Sequence, residues 1–149
     1  ITGMSLEFND QTIDAVDDIK GVFDQITGLN TDSGEMFRLY NAAFARFPDA
    51  SGLEYWIDQF SSGRNTRRVV AQSFLNSSEF KERYGENVVH EVYVNNLYKN
   101  VLGREADPAG IIYWTTQLLN GTETRYEVLL GFSESAENKA LFTEMTGFG

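Results

Sequence analysis

The chain has 149 residues, a net charge of −10, 42% apolar residues and 13% aromatic residues. That length fits one domain with enough apolar mass for a core, which a disordered chain lacks. The charge argues against nucleic acid or an anionic membrane as partner, and the absence of cysteine rules out thiolate catalysis, disulfides and cysteine-held metal.

The acid is concentrated at the start. Residues 1–36 carry eight acids against one base, Lys20, for a net −7. Carboxylates that converge suit a hard cation such as calcium, and carboxylates that disperse keep a surface soluble; both readings stand for this segment. No apolar run reaches the roughly 20 residues of a bilayer span, so no membrane insertion is expected. No secretory signal is visible, and with Ile1 in first place the chain is expected to be part of a longer protein.

Taken in order, Ser5-Leu6-Glu7-Phe8 alternates like a strand, Asn9-Asp10 suits a turn, and Thr12 to Val16 can return as its partner. A short N-terminal β-hairpin is one expectation there; a helix from Ala15 to Phe23 is its rival. Gly28 to Gly34 reads as a loop. From Asp32 the pattern is helical. Asp32 or Ser33 is expected to cap a helix to about Arg46, with Met36, Leu39, Tyr40, Ala43 and Phe44 on one face. Asp49 is expected to cap a short helix carrying Leu53, Tyr55, Trp56 and Phe60, ended by Gly63 at positive φ. Thr66 opens the next helix, with Val69, Val70, Phe74 and Leu75 as its apolar side. Ser77 or Ser78 caps a last turn with Phe80 and Tyr84.

The same text then returns. Tyr98 falls over Tyr40 at an offset of 58 residues, and 15 of the 41 positions from Leu39 to Glu79 recur without a gap. Val88 to Leu102 is expected as one long helix, with Val89, Val92, Tyr93, Leu97, Val101 and Leu102 apolar. Asp107 with Pro108 is a strong helix start, because aspartate accepts free first-turn amides and proline has none to leave unpaired. Gly121, Thr124 and Ser135 repeat Gly63, Thr66 and Ser77. The fold class expected is all-α: a bundle of about seven to nine helices built from two homologous repeats, 33–85 and 86–142, with a short tail. Neighbouring copies of a helical unit share a core.

The recurring polar and aromatic residues are the candidates for chemistry. Arg46 and Arg104 stand three residues before Asp49 and Asp107, where a guanidinium can clamp the corner between two helices or hold a ligand. Tyr55-Trp56 and Tyr113-Trp114 suit corner packing; a sugar-stacking platform is the functional rival. Gly52 and Gly110 follow the two capping aspartates. Asp10, Asp14, Asp32, Asp49 and Asp107 are the candidate cation ligands. His90-Glu91 starts like a zinc-protease helix but lacks the second histidine. No phosphate loop, EF-hand register or nucleophilic triad occurs, so no catalytic residue is assigned and no cofactor is required; calcium is the one ion the pattern would suit.

The strings Arg38 to Arg46, Pro48 to Trp56 and Phe74 to Phe80, with Leu97 to Arg104, Asp107 to Gly110, Tyr113-Trp114 and Leu130 to Asn138 in the second copy, resemble the bacterial domain-of-unknown-function family 4214. The resemblance covers roughly residues 33–142 in order and spacing. A weaker similarity runs to the phycobilisome linker domains, the helical linkers of cyanobacterial light-harvesting antennae. The resemblance implies a helical domain of an extracellular, secreted or cell-surface protein, often beside calcium-binding nonapeptide repeats; residues 1–32 would then be an acidic segment at the edge of such a region. It lends no catalytic residues. Ala45 and Phe47 depart from the family's more usual glycine and small or polar residue. The expected function is a non-catalytic structural or interaction module whose partner is a protein or glycan at the cell surface. The alternatives are a calcium-stabilised adhesin or surface-layer segment, a carbohydrate-binding or carbohydrate-acting domain, and an intracellular linker protein.

Overall fold

The computed structural model describes residues 16–149, and those residues are helical with short connections. Helix α1 covers 16–25, so Val16, expected in the hairpin's second strand, is helical; the rest of the expected hairpin lies outside the described residues. The first repeat continues with α2 (Asp32–Phe44), α3 (Ala50–Ser61), α4 (Arg67–Leu75) and α5 (Ser78–Tyr84). The second has α6 (His90–Leu97), a π-helical turn (Tyr98–Leu102), α7 (Pro108–Leu119), α8 (Arg125–Ser133) and α9 (Ala136–Thr146).

Most of the expected caps are in place. Asp49 and Asp107 accept from the amides of Gly52 and Gly110, Thr66 and Thr124 from Val69 and Glu127, and Ser77 and Ser135 from Phe80 and Asn138. Gly63 and Gly121 have φ of +81° and +70°. At α2 the cap is Thr31, one residue ahead of the expected pair. Ser33 is instead buried, and its hydroxyl accepts the Thr27 amide at 2.9 Å, tying the end of α1 to the start of α2. The helix also stops at Phe44, short of Arg46, because Ala45 turns left-handed at φ +53°. Its equivalent, Gly103, does the same at +66°.

The long helix expected over Val88 to Leu102 starts at His90 and loosens into the π turn after Leu97. Val69, Val89 and Val92, expected on apolar faces, are exposed. The helical body also begins ahead of residue 33. Val22 and Ile26 of α1 are buried in the same core as Leu39, Leu53 and Val70.

That core runs through both repeats. α8 packs against both α2 and α4, and buries Val128 and Leu129 completely. Phe142 of α9 meets Phe37 of α2 at 5.9 Å between ring centres, and the Tyr84 hydroxyl donates to the Ala42 carbonyl at 2.6 Å. Arg38, with 2% of its side chain exposed, holds Glu134 of α8's C-terminus through two hydrogen bonds of 3.1 and 2.9 Å. Among the described residues no helix is long and apolar enough to cross a membrane.

Candidate functional site

The recurring polar residues meet at two equivalent corners. In the first, Arg46 Nε and Nη2 donate to the Glu79 carboxylate at 2.7 and 3.0 Å, Nη2 also donates to the Tyr40 hydroxyl at 3.0 Å, and Nη1 donates to the Phe47 carbonyl at 2.9 Å. Tyr40 passes the link on to Asp49, 3.2 Å away. In the second, Arg104 donates to Glu137 at 2.8 and 2.9 Å and reaches Asp107 directly at 3.4 Å. Both guanidinium groups lie over a tyrosine ring, Tyr40 or Tyr98, at 5.2 and 5.0 Å.

These bonds set the charge states. Hydrogen bonds from Arg46 and Arg104 hold the Glu79 and Glu137 carboxyls below the usual range. Partial burial works against Asp49, yet hydrogen bonds from its own backbone, Ser51, the Gly52 amide and Tyr40 bring it below the ordinary value. The Gly110 amide does the same first for Asp107. The Arg46–Glu79 and Arg104–Glu137 pairs tie separate helices together, and Asp49 and Asp107 cap their own. The expected arginine clamps are present, and their strongest partners, Glu79 and Glu137, were legible only as recurring positions.

The other candidates disperse. Trp56 packs edge-on against Phe74 at 4.9 Å and Trp114 tilts against Phe132 at 5.2 Å, so both rings serve the core. Tyr55 and Tyr113 stand outside, 55% and 54% exposed. Asp32 accepts from Ser61 at 2.8 Å; Asp10 and Asp14 lie outside the described residues. Among the described residues no three His, Asp or Glu side chains converge as a ligand set. Between the repeats a cleft of about 730 Å³ gathers Glu35, Glu123, Glu127 and Glu134 with Arg67 and Arg68.

What distinguishes the two repeats is a groove between α6 and α7, about 930 Å³ in volume. Val89, Ala106, Pro108, Ile111, Ile112 and Leu119 give it an aliphatic surface, and His90, Glu91, Asn95, Thr115 and Arg125 line it with polar groups of both charges. Ile112 is 66% exposed and Leu119 74%. At the offset of 58, Ile112 replaces Glu54, Leu119 replaces Ser61 and Val89 replaces Thr31. The backbone is shared and the chemistry is reversed. In the first repeat the Asp32–Ser61 hydrogen bond straps the equivalent helices together; His90 and Leu119 make no such strap. Arg67 pairs with Glu35 at 2.7 Å. Its equivalent, Arg125, meets Tyr93 where that glutamate would be. The Arg125 guanidinium stacks on the Tyr93 ring at 4.9 Å, donates to the Val88 carbonyl and lies 3.1 Å from His90 Nδ1, and no carboxylate among the described residues pairs with it. The groove escaped the sequence reading because exposure of an aliphatic residue is not written in helical periodicity; the aligned pairs Glu54/Ile112 and Ser61/Leu119 were the available signal.

No curated protein and no solved structure matches the chain. A family model described as "Domain of unknown function (DUF4214)" matches twice, over residues 23–76 and 71–142. Those two matches start in α1 and end in α9, follow the two repeats of the fold and take in most of the chain, which therefore belongs to the DUF4214 family.

Proposed function

We propose that this chain is a non-catalytic structural and interaction module of a secreted or cell-surface protein. One observation carries the reading: on a duplicated backbone, the second repeat exchanges exposed polar residues for aliphatic ones around an open groove. Exposed apolar surface costs solubility, and a rimmed patch of it is the usual mark of a contact site. The recurring arginine, aspartate and glutamate of the two corners support the structural half of the reading, because their hydrogen bonds tie helices together and cap helix starts. The strongly acidic composition suits a protein that works among other surfaces without adhering to anionic lipid.

The test is retention of the purified chain on envelopes from cells that make it. Ile112→Asp combined with Leu119→Asp should abolish retention while leaving the helical circular dichroism and the unfolding midpoint unchanged. Equal retention of both proteins, or of neither, overturns the reading. A glycan-facing version has one observation in its favour, the equivalent half-exposed rings of Tyr55 and Tyr113. It requires that Tyr55→Ala and Tyr113→Ala weaken retention on envelope glycans, and an unchanged retention removes it.

A further inference from the structure

We propose that the second corner holds a binding site for a small molecule with a single aromatic ring. The site is a cavity of about 150 Å³ beside the π turn, walled by Tyr98, Leu102, Arg104, Trp114 and Phe132. It shares no residue with the α6/α7 groove and does not depend on the interaction reading. The first repeat shows what fits such a place. Phe44 occupies the position of Leu102 there. Its ring centre lies 4.8 Å from that of Tyr40 and 5.0 Å from that of Phe74, with the Arg46 guanidinium 5.9 Å away, and only 5% of the residue is exposed. The equivalents of those three neighbours are Tyr98, Phe132 and Arg104, and all three line the cavity. Leucine at position 102 has no ring to set among them. The backbone differs as well: α2 stays α-helical to Phe44, whereas Tyr98–Leu102 widens into the π turn, a departure that often accompanies a functional site.

The walls select the ligand. Tyr98 and Trp114 both pack on Phe132, at 4.9 and 5.2 Å between ring centres. A flat ring meets such walls edge to face or offset, which is worth more than its buried area alone. Gly131, where the first repeat has Ser73, also lines the cavity and lets the Trp114 ring lie close, since a Cβ added there would stand 3.0 Å from it. The polar groups at the edge are already engaged. Arg104 holds Glu137 at 2.8 and 2.9 Å, and the Ser135 hydroxyl donates to the Phe132 carbonyl and accepts from the Asn138 amide. They offer no free charge to an ionic ligand. The size agrees too, because an apolar cavity of about 150 Å³ takes up benzene.

Titration of the isotope-labelled whole chain with phenol, followed by NMR, tests this. Binding should saturate with a dissociation constant of about 1 mM or below, as suits so small a ligand. The shifts should centre on the Leu102 methyls and the Trp114 indole. Cyclohexanol, of similar size but without a π face, should bind about fivefold more weakly. Leu102→Phe restores the residue of the first repeat; it should keep the circular dichroism and lose the binding. A response to phenol that is absent or does not saturate overturns the inference. Shifts centred on Ile112 and Leu119, equal binding of cyclohexanol, or undiminished binding by a folded Leu102→Phe chain overturn it as well. The shift map of the unaltered chain decides the matter by itself if the variant does not fold.

Discussion

At the level of single residues the repeat supplies its own controls. Ala45 and Gly103 occupy the same left-handed corner, at φ +53° and +66°. A Cβ in that region clashes with the following carbonyl, which glycine avoids. Ala45→Gly should therefore stabilise the protein by about 0.5–1 kcal/mol, after the added freedom of an unfolded glycine is subtracted; urea unfolding reads the difference. The opposite exchange at Gly110 should be severe. A Cβ there would run into the Tyr98 ring and hydroxyl, while at Gly52 it would meet the Asp49 carboxylate at 2.9 Å. Gly110→Ala should cost about 2–3 kcal/mol by displacing a buried aromatic ring, and Gly52→Ala about 1 kcal/mol by disturbing a cap. Equal costs at the two sites would show that the corners are not packed as described. The corner arginine also sets an acid response. Because the Glu79 carboxyl is lowered in the folded state, its contribution is complete above the unfolded value of about 4.3 and is lost as pH falls through the folded one. Arg46→Met should cost about 1 kcal/mol near neutral pH, since roughly a third of each partner is exposed and solvent screens the pair. The cost should shrink toward pH 3, and a cost independent of pH would assign it to packing instead.

At the level of elements, the least exposed ion pair among the described residues crosses between the repeats. Arg38 is almost fully buried, donates to the Leu29 carbonyl at 2.8 Å, and lies over the Phe142 ring at 4.8 Å while it grips Glu134. Removing Glu134 strands a buried cation, so Glu134→Ala should cost about 3 kcal/mol. Arg38→Met with Glu134→Ala should cost less than Glu134→Ala alone, because no charge is left unpaired; denaturant titration of the three proteins checks the order. This pair is 96 residues apart in sequence, and Arg38 is matched by Asn96 in the second repeat, so neither spacing nor repetition announced it. The helix starts were legible for the opposite reason. Asp49, Thr66, Ser77, Asp107, Thr124 and Ser135 act on amides three residues away, which is information a linear text carries. Thr31, Asp32 and Ser33 can each cap a helix; Thr31 took the cap while the Ser33 hydroxyl tied down the end of α1. The π turn at Tyr98–Leu102 had no local mark at all. The groove was invisible to periodicity, because α7 keeps its apolar spacing while α3 carries Glu54 and Ser61 at the same surface positions.

At the level of the whole molecule, the repeats are homologous without being independent. α8 of the second repeat packs against both α2 and α4 of the first, and Phe142 of α9 closes on Phe37. Each half therefore leaves its partner's apolar surface open when separated, and a piece of that size buries too little to fold securely. The whole chain should unfold in one transition, with fluorescence and circular dichroism reporting the same midpoint. Residues 86–149 alone should keep some helix yet show no cooperative unfolding, since Val128 and Leu129 would face water. Adding residues 16–85 should restore the transition, drawn by that surface and by the Arg38–Glu134 pair. A fragment 86–149 that melts cooperatively at the midpoint of the whole chain would mean that its core is self-sufficient. In that case the α6/α7 groove would belong to an autonomous unit. The expected result places the groove on a single cooperative body that both repeats build.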